Sequence, residues 1–327
     1  MKILVTGGLG FIGSNFISYI TKNFPKFSVI NVDAEMIGSN PSNLHELKNK
    51  RNYSYFKGNI CNQNLMDKLV SKTDVVFNFA AESHVDRSIS DPKSFVDSNI
   101  IGVYTILESI RKYKKKLIHI STDEVFGSIM TGSADENYPY NPSSPYSSTK
   151  ASAELLIKSY FTTYGVDAKI TRCTNNYGPR QFPEKLIPKA IILAQQNEKI
   201  PLYGTGKNIR DWIFVDDHCD AVMQVFNKGK PGESYNIAGG NELNNNTIVK
   251  KILKILKKPT TLIKYVSDRP GHDFRYSLNS SKIKRDLGWK PKHTFETGLQ
   301  MTVDWYVNNH KWWLNVPDQQ IKRAYKI

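Results

Sequence analysis

The sequence predicts an α/β fold: a doubly wound parallel sheet followed by a smaller C-terminal α/β lobe. Three observations carry this. Short β-branched and aromatic runs alternate with helix-period segments through the first half of the chain, and a glycine-rich turn lies between the first run and the first helix. After Arg172 proline and glycine become frequent, marking a change of unit. In order, strands are expected at Ile3 to Val5, Val29 to Val32, Tyr53 to Phe56, Val75 to Phe77 and Leu117 to Ile120. Their apolar runs suit a parallel sheet covered on both faces. Helices are expected from about Phe11, through Phe95 to Ile110, and over 145–164, 245–257 and 295–309.

At 327 residues the chain exceeds what one hydrophobic core usually occupies. Its 39% hydrophobic and 23% charged content excludes collagenous, disordered and coiled-coil classes. Lys+Arg number 45 against 30 Asp+Glu, a formal charge of +15 that suits nucleic acid, a membrane surface or small anions as partners. The lysine-rich stretches Lys114 to Lys116 and 250–258 read as solvated helix ends and faces. Cys61, Cys173 and Cys219 form no close pair and no CxxC, so neither a disulfide framework nor a metal site is expected, and a reducing compartment fits. No apolar run reaches the roughly 20 residues of a membrane span, and the first residues enter a strand at once. A soluble, cytoplasmic protein is expected.

Gly7-Gly8-Leu9-Gly10-Phe11-Ile12-Gly13 holds a G-x-G-x-x-G pattern between strand and helix. Glycines there let the backbone approach a pyrophosphate, whose charge rests on the unpaired N–H groups of the helix N-terminus. Asp33 ends the second strand, 20 residues beyond Gly13, where a carboxylate accepts from adenosine ribose hydroxyls. No arginine follows it nearby, so a 2′-phosphate would meet repulsion and no basic partner. The expected cofactor is NAD, on a Rossmann-type sheet.

Ser121-Thr122-Asp123-Glu124 follows an apolar strand, which places Thr122, Asp123 and Glu124 at the carboxyl end of the sheet, where ligands bind. Tyr146 and Lys150 fall one turn apart on a helix, so the ammonium, with a positive nicotinamide, is expected to lower the pKa of the phenol. A depressed phenol can take a hydroxyl proton while hydride leaves the same carbon.

With these motifs the chain resembles the extended short-chain dehydrogenase/reductase family, and within it the nucleotide-sugar 4,6-dehydratases. The likeness runs through TGGLGFIGSN, AAESHVDRSI, STDEVFG, YSSTK, NNYGPRQFPEKLIP, RDW and DRPGHDFRYS. It implies an internal redox dehydration of a nucleotide-diphosphate hexose, with Tyr146 as base at the 4-hydroxyl, Glu124 as base at C5, Asp123 as acid at O6, and Thr122 beside the 4-oxygen. The 4-ketone also makes inversion at C5 chemically accessible. The resemblance places Asn59, Ile60, Ala80, Ala81, Ser98 and Asn176 on NAD, with the glycine turn, Asp33, Tyr146 and Lys150. It places Ser83 and Asn175 at the hexose diphosphate, and Lys185, Leu186, Pro201, Tyr203, Arg210, Asn245, Arg269 and His272 around the nucleotide. His84 and His119 are read as framing residues. The implied division is an NAD-binding unit, 1–172 with 212–238, and a substrate lobe within 173–327.

Three departures from the family pattern are visible: Asn59 in place of an aspartate, Phe126 in place of a tyrosine, and the segment Ala34 to Ser39. They leave dTDP-glucose, UDP-glucose and UDP-N-acetylglucosamine open as substrates. A nucleotide-sugar 4-epimerase needs no Asp123 and Glu124, and a non-catalytic NAD-binding protein with a basic nucleic-acid surface would not keep the full catalytic set. The resemblance implies a homodimer without nucleic acid or membrane, formed through helices near 95–112 and 145–164. Their apolar residues include Phe95, Val96, Val103, Ile106, Leu155 and Leu156, most of them explained by burial against their own sheet.

Overall fold

The structure, a computed structural model, describes residues 1–314 and 316. Residues 315 and 317–327 of the expected lobe lie outside the described residues. The chain opens with β1 (Lys2–Thr6), α1 (Phe11–Asn23), β2 (Ser28–Asp33), β3 (Tyr53–Lys57), α2 (Gln63–Val70), β4 (Val75–Asn78), α3 (Val85–Ser90), α4 (Pro92–Val96) and α5 (Gly102–Tyr113). Then come β5 (Lys116–Thr122), α6 (Pro145–Tyr164), β6 (Ala168–Cys173), β7 (Asn175–Tyr177), α7 (Leu186–Gln195), β8 (Ile200–Tyr203), β9 (Ile209–Phe214) and α8 (Val215–Lys228). The last described elements are β10 (Ser234–Ile237), β11 (Glu242–Asn244), α9 (Asn245–Ile255), β12 (Ile263–Val266), α10 (Ser281–Leu287), α11 (Phe295–Asn308) and α12 (His310–Leu314).

Seven strands form one sheet in the order β10-β6-β5-β4-β1-β2-β3, and every pairing in it is parallel. Alternate residues of β1 feed opposite faces. Ile3 and Val5 join a core with Phe16 of α1 and Val222 of α8, while Leu4 joins one with Met66 of α2, Ile106 of α5 and Ile157 of α6. A third core, around Ile191, Ile252 and Leu299, gathers α7, α9 and α11 beside the small sheets β11-β9-β7 and β12-β8. Ile283, Leu287 and Trp289, late in the chain, pack in the first core. No helix among the described residues is long and apolar enough to cross a membrane.

Helix α6 has strong local signals. Ser144 and Ser147 form a capping box, Pro145 takes the first turn, and Gly165 ends the helix with φ +66°. The single helix expected over Phe95 to Ile110 instead starts at Pro92 and passes through a π turn over Asp97–Ile101. At that turn the Asn99 amide accepts from Glu82 N and donates to the Glu82 carbonyl and the Thr149 hydroxyl, which ties the turn to α6.

Behind α6 lies a fully buried ion pair. Arg172 on β6 donates to both oxygens of Glu154 at 2.6 to 3.1 Å, and both side chains are wholly inaccessible. Ser121 and Tyr140 also donate to Glu154, while the guanidinium lies 4.9 Å from the Phe126 ring centre and 5.6 Å from that of Tyr140. Glu154→Ala, which strands Arg172, is expected to lower the unfolding free energy by about 3–5 kcal/mol. Urea denaturation of the full chain measures it, and the apolar double variant Glu154→Leu, Arg172→Met should lose less.

Candidate active site

A cleft opens at the carboxyl ends of the large sheet's strands, the expected place for a ligand in an open α/β sheet. Its first wall is the glycine turn. A side chain at Gly7, where φ is +68°, would sit 2.6 Å from the backbone of Ala80, and one at Gly13 would sit 2.3 Å from the Gly7 carbonyl. Only glycine lets the turn close against β4 and start α1. No side chain caps α1 at Gly10, so the first N–H groups of the helix, on Phe11, Ile12 and Gly13, lie at the cleft without an intrahelical partner.

Asp33 is buried at the far end of the cleft. One oxygen accepts from Leu9 N (2.9 Å), the other from Glu35 N and Ser39 Oγ (2.8 Å each). A carboxylate has about four acceptor sites, so capacity remains for a ribose hydroxyl. Asn59 turns its oxygen to Cys61 N at 2.8 Å, and buried Asn176 keeps an oxygen without a partner at the cleft wall. The uncapped helix start, the close-packed glycines, Asp33 and this orphaned amide oxygen fit a dinucleotide. All the cofactor residues expected from sequence, including Ile60, Ala80, Ala81 and Ser98, line this cleft.

At the centre stand the chemical groups. Thr122 caps the short 3-10 turn Asp123–Phe126 by accepting from Glu124 N, and its hydroxyl lies 3.1 Å from Asp123 Oδ1. Asp123 is buried and its Oδ2 has no partner. Burial first, and the Glu124 carboxylate second, push Asp123 well above the usual carboxylate range. Burial also raises Glu124, but Arg269, Lys185 and Arg210 pull it back. For Asp123 burial outweighs the repulsion between the pair, and while Arg210 acts on both carboxyls, Glu124 has Arg269 and Lys185 ahead of it.

Tyr146 departs from the expected electrostatics. Burial and the Glu124 carboxylate raise its phenol well above the ordinary value, with a hydrogen bond from Thr122 acting the other way. Lys150 does not offset this. Its Nζ donates to the Ile120 carbonyl at 2.7 Å and lies 3.4 Å from His119 Nε2, while burial lowers its own pKa to about 8. His119 Nδ1 in turn meets Asn78 Nδ2 at 3.0 Å, so this histidine frames the lysine.

Of the expected substrate residues, Ser83, Thr122, Asn175 and Lys185 line the cleft, and Lys185 donates to the Ser83 carbonyl at 3.0 Å. Leu186, Pro201, Tyr203, Arg210, Asn245, Arg269 and His272 stand outside this wall. Arg269 donates to Asp86 (2.6 Å), as does the Tyr203 hydroxyl (2.8 Å), and His272 meets Asp268 at 2.6 Å. Arg210 stacks 4.1 Å above the Tyr276 ring centre and donates to the carbonyls of Ile209, Asp273 and Phe274. Phe126 is not a cleft residue; it is buried behind the site against Arg172 and Tyr140. Sequence reasoning missed Glu82, Arg87 and Glu184, which line the cleft as a linked set, with Arg87 3.6 Å from Glu82 and 3.3 Å from Glu184. Their signal lay in the AAESHVDRSI and FPEKLIP segments.

Fold and site together define a dinucleotide-dependent enzyme of the extended short-chain dehydrogenase/reductase class, with two adjacent carboxyls at the centre of its cleft. The chain belongs to the GDP-mannose 4,6 dehydratase family, whose family model matches residues 4–302. It is 46% identical to the dTDP-glucose 4,6-dehydratase of Escherichia coli, with 97% of each chain covered. The crystal structure of DesIV, a dTDP-glucose 4,6-dehydratase from Streptomyces venezuelae with NAD and TYD bound, superposes with a TM-score of 0.95 at 41% identity, covering 97% of this chain and 100% of that one. A UDP-glucose 4-epimerase from Thermotoga maritima with UDP-glucose is more distant, at 30% identity and TM-score 0.88 over 95% of this chain and 100% of that one. The activity is the NAD-dependent 4,6-dehydration of a nucleotide-diphosphate hexose.

A stability test reads Asp123 directly. An acid whose folded-state pKa is raised costs nothing below its unfolded value and destabilises increasingly as pH rises from there toward the folded value. Asp123→Asn should therefore match wild type near pH 4 and become the more stable protein at pH 7, measured by urea unfolding at both pH values.

Proposed function

We propose that the substrate is dTDP-glucose and that the Asp123–Glu124 pair carries the dehydration. The observation that carries this reading is the unequal surroundings of the two carboxyls, one buried with a free oxygen, the other flanked by three cations. The choice of dTDP-glucose is supported by the names of the E. coli relative and DesIV. NAD, when bound, accepts the C4 hydride, returns it to C6, and sets a positive ring beside the phenol. Tyr146 takes the proton from O4, with the Thr122 hydroxyl holding that oxygen. Glu124, whose carboxylate form Arg269, Lys185 and Arg210 favour against burial, takes the C5 proton made acidic by the 4-ketone. Asp123, kept protonated by burial, gives its proton to O6, which leaves as water. Glu124 then returns its proton to C5 as C6 is reduced, and the proton held on Tyr146 replaces the one Asp123 gave.

The remaining roles rest on the resemblance: Asp33, Asn59, Asn176 and the α1 N-terminus hold NAD; Ser83 and Asn175 hold the hexose diphosphate; Lys185, Tyr203, Arg210, Arg269 and His272 meet the nucleotide. We assign residues 1–172 and 212–238, with the 281–289 segment packed on their core, to the NAD-binding unit and the rest to a substrate lobe, in a protein working in the cytoplasm without nucleic acid. A homodimer is supported by α4 to α6: Phe95, Val103 and Ile106 are buried in their own unit, but Val96, Tyr104, Leu155 and Tyr164 are 41 to 53% exposed.

The double variant Asp123→Asn, Glu124→Gln should still reduce bound NAD when given dTDP-glucose, seen as absorbance of NADH, yet form no 4-keto-6-deoxy product. Unchanged product formation would remove both residues from the mechanism. Mass spectrometry across dTDP- and UDP-hexoses tests the substrate: water loss should be fastest from dTDP-glucose, and a faster UDP-sugar would replace it. For the dimer, Tyr104→Asp with Leu155→Asp should halve the mass measured by light scattering.

A further inference from the structure

The sheet order places a cation on the strand next to Asp33, just outside the cleft wall, that the chain order hides. Lys57, at the end of β3, is the register partner of Asp33 across the parallel pair. Gly58, Asn59 and Ile60, which follow it, line the cofactor cleft. Near Asp33 in space, though not in sequence, there is therefore a lysine. The lysine is there, and another residue holds it.

That residue is Glu35. Its backbone N–H donates to Asp33 Oδ1 at 2.8 Å, and its φ of +56° turns the chain back toward β3. One carboxylate oxygen meets Lys57 Nζ at 2.5 Å and the other accepts from the Tyr55 hydroxyl at 2.7 Å. The lysine and the phenol hold Glu35 below its ordinary carboxylate value, so it is ionised at neutral pH. A left-handed backbone is uncommon for a glutamate, and here it is spent on bringing a carboxylate to the one lysine beside Asp33 in the sheet register.

We infer that Glu35 is a cofactor-specificity residue, which excludes NADP by neutralising Lys57 as well as by adding its own negative charge beside Asp33. The inference rests on the reading that Asp33 receives the adenosine ribose. NAD carries no 2′-phosphate and has no use for Lys57, so its affinity does not depend on the pair. NADP would present a dianion to two carboxylates while its natural counter-charge is engaged.

The test is a set of dissociation constants for NAD+ and NADP+ on the full-length protein, freed of nucleotide and followed by quenching of tryptophan fluorescence. Glu35→Gln should tighten NADP+ about fivefold, the scale of one exposed charge pair, and leave NAD+ within about twofold. Adding Lys57→Met to Glu35→Gln should abolish most of that gain, and raising the salt should shrink it. Unchanged NADP+ binding in Glu35→Gln overturns the inference, as does a gain that survives intact without Lys57. Asp33→Ala separates the two readings: it should weaken NAD+ markedly. If it does not, the ribose assignment falls and the inference with it, whereas a failed Glu35 result leaves that assignment standing.

Discussion

The arrangement of the site depends on the Arg172–Glu154 ion pair. Tyr146, Lys150 and Glu154 follow one another at single-turn spacing on one face of α6. The first two face the cleft, and the third is anchored beneath it to Ser121 on β5 and Arg172 on β6. Both charges are withdrawn from water, so the pair depends on the further hydrogen bonds that both side chains make. The guanidinium also donates to the Glu136 carbonyl and the Tyr140 hydroxyl, and Glu136 accepts from Asn236 N on β10. One buried network thus fixes the height of α6 over three strands, and with it the approach of the phenol to Thr122.

Above that anchor, adjacent carboxyls meet unequal electrostatics. Asp123 is buried beside its neighbour's charge, with Thr122 and Arg210 offsetting only part of the shift. Glu124 faces cations from α7 and its approach, from β9 and from the loop after β12: Lys185, Arg210 and Arg269. Consecutive carboxyls thus sit in unequal surroundings without any difference in side-chain chemistry that would separate them.

Much of this was legible in the sequence. The glycine turn, Asp33, the capping signals of α6 and the strand ending in Thr122 are local patterns, and local patterns survive folding when a buried sheet demands them. The cofactor residues consequently fall on one cleft wall. What escaped reading was set by long-range juxtaposition or by depth. Lys57 meets Glu35 only because β3 lies beside β2. Phe126 packs behind the site because Arg172 takes its ring face. The phenol of Tyr146 is raised because helix spacing says where Lys150 lies along the helix but not how deeply both groups are buried. The π turn at Asn99 likewise answers to a contact with the Glu82 backbone that no helical period encodes.

The outermost strand of the large sheet has an architectural consequence. β10 arrives more than sixty residues after β6 and pairs with it through Ser234 to Ile237, after the chain has built β7, β8 and β9 elsewhere. The nucleotide-holding half is therefore not a cassette that could be lifted out of the gene as one continuous stretch. A messenger ending anywhere between those strands would yield a sheet with β6 as a bare edge and a buried arginine facing solvent. The two halves of this protein can diverge in sequence, but they are bound to be inherited together.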